Sequence, residues 1–313
     1  MAKCCLDYPG VNATRPDRTT LTAFSAAVLF GGANMVAVRI SDRGLEPFWG
    51  ATLRFVMAAV VMLVIVRVRR LPFPRGRSLR FAVAYGALTF GASFSLFYWG
   101  VVRVPAGTAG VIMASTPLLA LLLSVAHGLE PFRRRGAVGA GVALAGIAVI
   151  FAGRSGGALP TASVLAILAS AACAAESAIL LKRAPEVDSV TMNAVAMAVG
   201  APILLALSFI SRETLGVPDH GSVWAAVLFM GLLGTPALFF LYVFVIRRWT
   251  VSASSYQFVL APVVAIVLAA ILLGERITPS LLLGAPLVLT GVWIGALASD
   301  RAPAVLGGPP SGT

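Results

Sequence analysis

Long apolar runs alternate with short polar or basic connections along almost the whole chain. A helix that crosses the hydrocarbon core of a membrane needs about 20 mainly apolar residues, because it rises about 1.5 Å per residue through roughly 30 Å. Ten runs meet this requirement, near 19–38, 47–66, 79–101, 106–126, 136–152, 160–181, 190–211, 222–245, 252–273 and 280–298. Backbone groups in lipid must be hydrogen-bonded internally, so the pattern predicts an all-α membrane protein of ten transmembrane helices.

Composition agrees with this interpretation. The 313 residues are 59% hydrophobic and only 12% charged, whereas about a quarter of a soluble chain is charged. The first run is too long, and too polar at Asn34, for a signal-peptide core, so we expect it to stay in the protein. Cys4, Cys5 and Cys173 are an odd number, so they indicate neither a disulfide framework nor a cysteine metal site.

The net charge of +12 indicates topology and not nucleic-acid binding, because the arginines cluster between apolar runs. With a cytoplasmic N-terminus, 17 of the 24 Lys and Arg residues fall on the cytoplasmic side, six fall outside, and Arg54 lies within a span. The positive-inside rule therefore predicts a multi-pass protein of the plasma (inner) membrane with both termini cytoplasmic. Residues 1–18 form a cytoplasmic segment in this scheme, and residues 299–313 form a disordered cytoplasmic tail.

The chain contains an internal repeat at a fixed offset of 145 residues. The offset pairs Pro117 with Pro262 and Glu130 with Glu275, and it also pairs Gly86 with Gly231, Gly139 with Gly284 and Gly146 with Gly291. Each copy, 19–153 and 160–298, holds five spans. Because five is odd, the second copy must enter the membrane from the opposite side. Such inverted repeats are typical of secondary transporters, whose substrate site lies between the halves.

The most distinctive stretches of the repeat resemble a known family. They read ASTPLLALLLSVAHGLEPFRRRGAVGAGVALAGIAVI from Ala114 and LAPVVAIVLAAILLGERITPSLLLGAPLVLTGVWI from Leu260. Both are similar to the end of the EamA-type domain of the drug/metabolite transporter superfamily. Gly31 to Asn34 and Leu53-Arg54-Phe55 are similar to the first half of that domain. The resemblance covers residues 20 to 298.

This resemblance implies a transporter of two EamA domains, in a family whose members move amino acids, other metabolites or drugs, commonly outward. The chain departs from the pattern in two places. Repeat one has Leu129-Glu130-Pro131 where repeat two has the more usual Gly274-Glu275-Arg276, and the second half has no counterpart of Arg54. A pathway that uses Arg54 must therefore be asymmetric.

Two ionisable residues, Arg54 and Glu176, lie inside predicted spans. A charge there costs about 2.5–3.5 kcal/mol on insertion scales, so both are functional candidates. Arg54 either contacts carbonyls at a helix end or binds an anion such as a carboxylate. Glu176 either faces the cavity, where it couples transport to protons or binds a cationic group, or reaches solvent beside Lys182 and Arg183. Helix rise separates the two in depth by roughly 10 Å, so a simple ion pair between them is not expected.

Aromatic and amide side chains supply the other pathway candidates. Phe90, Phe94 and Phe97 fall on one helical face, which either packs or lines a cavity suited to apolar or cationic groups. The remaining candidates are Tyr98, Trp99 and Tyr242, followed by Asn34, Asn193, Tyr256 and Gln257.

Prolines and small residues predict how the helices bend and pack. Pro117 and Pro262 should each expose the carbonyl four residues earlier, at Met113 and Phe258, either beside a cavity or at a packing kink. Small residues at Ala137, Gly141 and Ala145, and at Gly291, Gly295 and Ser299, should let helices approach closely within the chain.

Enzyme chemistry is not expected. A Walker A loop needs Lys before Ser or Thr, but Lys3 precedes Cys4 and Lys182 precedes Arg183. The G-x-S-x-G match at 153–157 joins two membrane helices instead of a strand and a helix. We expect no catalytic residue, no metal and no cofactor.

The leading hypothesis is a gradient-driven secondary transporter of a small metabolite, an exporter by resemblance. The alternatives are a lipid-linked carrier flippase of the same superfamily and a non-transporting membrane scaffold or sensor. The expected partners are a small-molecule substrate, membrane lipid and protons as the coupling ion, with the protein a monomer or a homodimer.

Overall fold

The computed structural model describes residues 16–104, 106–151, 160–274 and 279–297, and every regular element in these ranges is a helix. Long helices follow one another in chain order: α1 Arg18–Ser41, α2 Pro47–Val68, α3 Gly76–Val101, α4 Ala109–Ala126, α5 Arg134–Phe151, α6 Thr161–Arg183, α7 Ser189–Ile210, α8 Gly221–Arg248, α9 Val251–Leu272 and α10 Pro279–Leu297. By the length and mean hydropathy of their described residues, all of these helices except α5 can span a membrane. Helix α5 coincides with the fifth predicted span. The all-α membrane fold is confirmed. The predicted terminal segments lie almost wholly outside the described residues.

Helix starts follow from local chemistry. Asp17 precedes α1 and its carboxylate accepts the Thr20 amide at 3.0 Å, while Asp188 precedes α7 and accepts the Val190 amide at 2.8 Å. Each satisfies an amide that has no partner within the helix. Pro47 opens α2 at a position where its missing N–H is not needed.

The helices pack as two inverted copies. α1 packs against α8 and α9, and its counterpart in the second copy, α6, packs against α3 and α4. Two further large contacts, α2 with α7 and α5 with α10, each join a helix to its own counterpart, and α3 packs on α7 as its counterpart α8 packs on α2. This is the pattern of a pseudo-two-fold axis between the halves, as the repeat predicts.

Repeat-matched glycines form the contact of α5 with α10. A Cβ added at Gly139 would lie 2.7 Å from the Gly291 carbonyl oxygen, and one added at Gly146 would lie 2.9 Å from the Gly284 carbonyl oxygen. The predicted stripe through Gly141 is wrong for α5, because a Cβ there would meet nothing within 4 Å. Close backbone approach of this kind needs the absence of a side chain on both helices.

Spans α3 and α8 depart from regular α geometry at matching places. π-helical segments run over Ala87–Ser93 in α3 and Met230–Gly234 in α8. The offset of 145 places Ala87 at Leu232, inside the second segment. π segments recur at functional sites because they turn side chains away from the regular helical register.

Spans α4 and α9 are interrupted at Ala114–Ser115 and Ser255–Tyr256. The prediction of a free Met113 carbonyl is wrong, because the Thr116 hydroxyl donates to it at 2.5 Å. Pro117 opens the second part of α4, whereas Pro262 lies inside the continuous part of α9, after the interruption. A nearby hydroxyl can satisfy a carbonyl that a proline leaves without its amide.

We expect Gly139→Ala to destabilise the protein by about 1–3 kcal/mol, because the new Cβ meets backbone that cannot rotate away. Thermal unfolding of purified protein in detergent would measure this. Gly141→Ala is the matched control in the same helix. Equal unfolding temperatures for the two variants would contradict this account of the contact between α5 and α10.

Candidate functional site

The connections divide into two faces of the helix bundle. One face, called here the basic face, carries the α2–α3 connection with Arg69, Arg70 and Arg75 and the ends of α4, α6 and α8. The opposite face carries the ends of α1, α3 and α7. Polar side chains inside the bundle lie in two groups between these faces, with aromatic rings separating them.

The first group, the arginine cluster, consists of Asn34, Arg54, Tyr98 and Thr235 and lies toward the opposite face. Arg54 on α2 is 4% exposed, and its Nε donates to the Thr235 hydroxyl at 2.6 Å. The Tyr98 side chain interacts electrostatically with the guanidinium. Asn34 on α1 lies against Gly234, next to Thr235, and its Oδ1 is buried without a hydrogen-bond partner among the described residues.

The arginine cluster has an unbalanced charge. Among the described residues no carboxylate lies within 4 Å of the Arg54 guanidinium. The carboxylate whose charge acts on it is that of Asp42, in the exposed turn after α1. Phe55 and Phe94 lie against the guanidinium, with ring centres 4.9 and 5.8 Å from its carbon. Aromatic faces, a hydroxyl and the more distant Asp42 carboxylate compensate a buried cation only in part.

Four rings, called here the aromatic layer, fill the space below Arg54: Phe55, Phe90, Phe94 and Phe239. The centres of Phe90 and Phe239 are 4.6 Å apart, and those of Phe55 and Phe94 are 4.9 Å apart. Helices α2 and α3 of the first half and α8 of the second half supply these rings. The aromatic layer therefore packs across the boundary between the halves.

The second group, the tyrosine cluster, lies beyond the aromatic layer toward the basic face and consists of Tyr85, Thr89, Asn193 and Tyr242. The Asn193 Nδ2 donates to the Ser189 carbonyl at 2.9 Å and to the Phe239 carbonyl at 3.0 Å. The Tyr85 and Tyr242 phenol groups lie near each other. Tyr85 and Thr89 are not among the candidates predicted from the sequence.

The π segment in α3 explains why Phe97 leaves the face predicted for Phe90 and Phe94. Its wider turn gives a stripe of Tyr85, Phe90, Phe94 and Tyr98, with spacings of five, four and four residues. Phe97 instead packs with Val104 and Ile167. Trp99 is 42% exposed and its ring lies 5.2 Å from the Arg103 guanidinium carbon, so it points away from the clusters.

Two other candidates lie outside both clusters. Tyr256 packs beside Trp249 and Val292, and its hydroxyl donates to the Gly136 carbonyl at 3.4 Å. Gln257 is buried at the start of the continuous part of α9 and bonds to no described residue. Asn34, Phe94, Tyr98, Asn193 and Tyr242 are the candidates that the structure brings, with Arg54, into the two clusters and the aromatic layer.

Glu176 lies near the basic face and not beside Arg54. Its Oε1 is 3.4 Å from His127 Nε2, and its side chain is 33% exposed. Arg183 donates from Nη2 to the His127 carbonyl at 2.6 Å. The proton-coupling role of Glu176 stays a prediction.

Charged side chains cap two helix ends at the basic face, and the Glu130 cap joins the two halves. Glu130, from the first half, accepts from the Ser252 amide at 3.1 Å and from its hydroxyl at 2.5 Å, at the start of α9. Lys182 donates to the Ile246 and Trp249 carbonyls at 3.1 and 2.7 Å, at the end of α8. These charges match the sign of the helix dipole at each end. Glu275, the repeat partner of Glu130, lies outside the described residues.

The opposite face has a similar cap. Glu213, from the second half, accepts from the amides of Phe48 and Trp49 at 3.0 and 2.8 Å, at the start of α2. Ser208 holds the same carboxylate through a 2.9 Å hydrogen bond. At each face, therefore, a carboxylate from one half accepts hydrogen bonds from the first residues of a helix in the other half. Sequence reasoning missed Glu213 because it lies in a polar connection 165 residues from Phe48.

Comparison with known proteins identifies relatives over most of the chain. The EamA-like transporter family matches twice, at residues 18–152 and 161–296. A protein of Streptantibioticus cattleyicolor named "Probable terminal-alkyne amino-acid exporter" is 30% identical over 82% of this chain and 86% of its own length. The "Uncharacterized inner membrane transporter YedA" of Escherichia coli K12 is 27% identical over 82% of this chain and 83% of its own.

A solved crystal structure shares the fold. It superposes with a TM-score of 0.77 at 22% sequence identity and covers 91% of this chain and 99% of its own.

Proposed function

Because the chain belongs to the EamA-like transporter family and is a membrane transporter, we propose that it is a secondary active exporter of a small metabolite that carries a carboxylate, such as an amino acid. Arg54 binds that carboxylate. The observation that carries the proposal is a buried guanidinium with no carboxylate within 4 Å among the described residues. The printed name of the 30% identical relative, an amino-acid exporter, supports the substrate class and the direction.

Alternating access between the two halves is the proposed mechanism. The inverted packing supports it, because exchanging the conformations of two related halves moves the opening from one face to the other. The aromatic layer and the caps by Glu130 and Glu213 are the contacts that would have to separate in turn. A lipid-linked carrier flippase and a non-transporting scaffold remain as alternatives for the test to separate.

Arg54→Gln should abolish export, because an amide keeps hydrogen bonding but has no charge for a carboxylate. We would compare intracellular and extracellular metabolites, untargeted, in cells that overproduce wild-type or variant protein. A carboxylate that accumulates outside with wild-type protein should return to background with Arg54→Gln.

Arg103→Gln is the matched control, since Arg103 is exposed on the same side of the bundle and stacks on Trp99. Wild-type export from Arg54→Gln cells would refute the carboxylate role. A lipid-linked species changing in place of a soluble metabolite would favour the flippase, and no change at all would favour the scaffold.

Glu176→Gln tests proton coupling. If Glu176 loads and releases the coupling proton, the variant in proteoliposomes should lose the dependence of flux on ΔpH while keeping substrate exchange, since the amide does not ionise. Glu186→Gln, an exposed change on the same face, should leave the ΔpH dependence intact. Undiminished ΔpH dependence in Glu176→Gln would remove Glu176 from the coupling mechanism.

The proposed orientation places the basic face in the cytoplasm of a plasma membrane. With Cys4, Cys5 and Cys173 replaced by Ser, we expect Asp219→Cys to react with an impermeant maleimide in intact cells. Arg75→Cys should react only after permeabilisation. Both positions are exposed, so the reversed pattern would show the opposite orientation.

A further inference from the structure

The tyrosine cluster contains four buried polar atoms that lack partners. The hydroxyl oxygens of Tyr85, Thr89 and Tyr242 and the Oδ1 of Asn193 have no hydrogen-bond partner among the described residues outside the cluster, and the Tyr85 and Thr89 hydroxyls lie near each other. Tyr85 and Asn193 are almost completely buried, and Tyr242 is 3% exposed. A buried polar atom without a partner costs about 1–3 kcal/mol, so four of them beside one path indicate that something else completes them.

The amide orientation of Asn193 fixes what that partner must offer. Its Nδ2 donates to two carbonyls, those of Ser189 and Phe239. Turning the amide over would place Oδ1 against both of those carbonyl oxygens. The Oδ1 therefore presents only an acceptor to the cluster, and its missing partner must be a donor.

The other three atoms are hydroxyl oxygens, which also accept hydrogen bonds. None of the four residues carries a formal charge that would repel a cation. The Phe90 and Phe239 rings border the cluster, with Phe90 5.9 Å from the Tyr85 ring. Aromatic faces attract cations, so acceptors and rings together favour a positively charged group with several N–H donors.

A carboxylate fits this cluster poorly. The hydroxyls could donate to it, but the fixed Oδ1 of Asn193 would face it with a lone pair. The arginine cluster has the reverse preference, because its guanidinium repels a cation. The two clusters therefore differ in the charge that each accepts.

We propose that the tyrosine cluster is a second binding site on the pathway and that it takes the primary ammonium group of the substrate. This inference rests on the transport function proposed above and adds a site to it. Seven residues of α8 separate Thr235, bonded to Arg54, from Tyr242, which corresponds to about 10 Å of helix rise. A long amino acid with a terminal ammonium group could reach from one cluster toward the other, whereas a short one would visit them in sequence.

The test uses three probes of equal chain length: n-butylammonium, butyrate and 1-butanol. Purified protein in detergent is unfolded thermally at pH 7 with increasing amounts of each, since a ligand that binds only folded protein raises the Tm. We expect n-butylammonium to raise the Tm of the wild-type protein and 1-butanol to leave it unchanged.

Tyr85→Phe and Tyr242→Phe each remove one hydroxyl and keep the ring. Because those hydroxyls are unpartnered, both variants should unfold at or above the wild-type temperature without ligand. Their apparent Kd for n-butylammonium should be roughly tenfold weaker, as expected when one hydrogen bond to a charged group is lost. Tyr256→Phe is the matched control, because its hydroxyl donates to the Gly136 carbonyl away from the cluster, so its n-butylammonium Kd should stay at the wild-type value.

The outcomes separate this site from the Arg54 site. If n-butylammonium acts no better than 1-butanol, or if both phenylalanine variants keep wild-type affinity, the cluster holds only water and the inference is overturned. Butyrate reports on the carboxylate proposal alone: its stabilisation should be lost in Arg54→Gln and kept in the two tyrosine variants. Absence of a butyrate effect in wild-type protein would therefore count against Arg54 and leave the ammonium site supported.

Discussion

The fold depends on one constraint, which is that a backbone amide or carbonyl in the hydrocarbon core has no water to bind. Regular helices satisfy this internally, and side chains compensate at three of the irregularities in the described part of the bundle. The Ser93 carbonyl, at the end of the π segment in α3, accepts the Ser170 hydroxyl at 2.8 Å. At the interruptions in α4 and α9, the hydroxyls of Thr116 and Ser255 bond carbonyls three residues earlier.

That constraint separates polar side chains that satisfy the backbone from buried polar side chains that do not. Glu130, Lys182 and Glu213 serve helix ends, and the hydroxyls above serve carbonyls. Among the described residues, ten buried side-chain polar atoms have no hydrogen-bond partner, and five of them lie in the arginine and tyrosine clusters, on either side of the aromatic layer. Polar groups inside membrane spans are functional candidates, so the proposed substrate is one explanation for leaving these five incomplete.

The sequence was sufficient to predict the spans, the repeat and the positions of Arg54, Asn34 and Tyr98, because apolar length and polar residues within spans are local signals. It failed where geometry depends on neighbours. Ideal helical periodicity assigns Phe97 to the face of Phe90 and Phe94, but the π segment in α3 changes that periodicity. Trp99 follows Tyr98 on the next, regular part of α3 and points to the surface. Gly139 faces another helix and Gly141 does not. This difference depends on how α5 crosses α10, which the composition of the helices does not specify.

The scaffold is symmetric but its chemistry is not. The offset of 145 residues places apolar Val199 opposite Arg54 and Val243 opposite Tyr98. It places Phe48 opposite Asn193 and Phe90 opposite Thr235. In the proposed mechanism the paired helices exchange conformations while the proposed binding groups stay in particular places between the halves. A charge preference that differs along the path gives a substrate with two charged ends a preferred orientation.

The two caps also bear on the energy of the proposed exchange, although Glu130 and Glu213 are not repeat partners. The carboxylate of Glu130 accepts two hydrogen bonds from Ser252 across the halves at the basic face, and that of Glu213 accepts two from α2 at the opposite face. A hydrogen bond to a charged group contributes about 1.5–3 kcal/mol, so separating either face removes a similar amount of stabilisation. A carrier needs its two access states to lie within a few kcal/mol of each other, because a ligand can shift an equilibrium only by its differential affinity for the two states. Matched caps on opposite faces meet that condition, whereas a cap on one face alone would hold the protein in a single state.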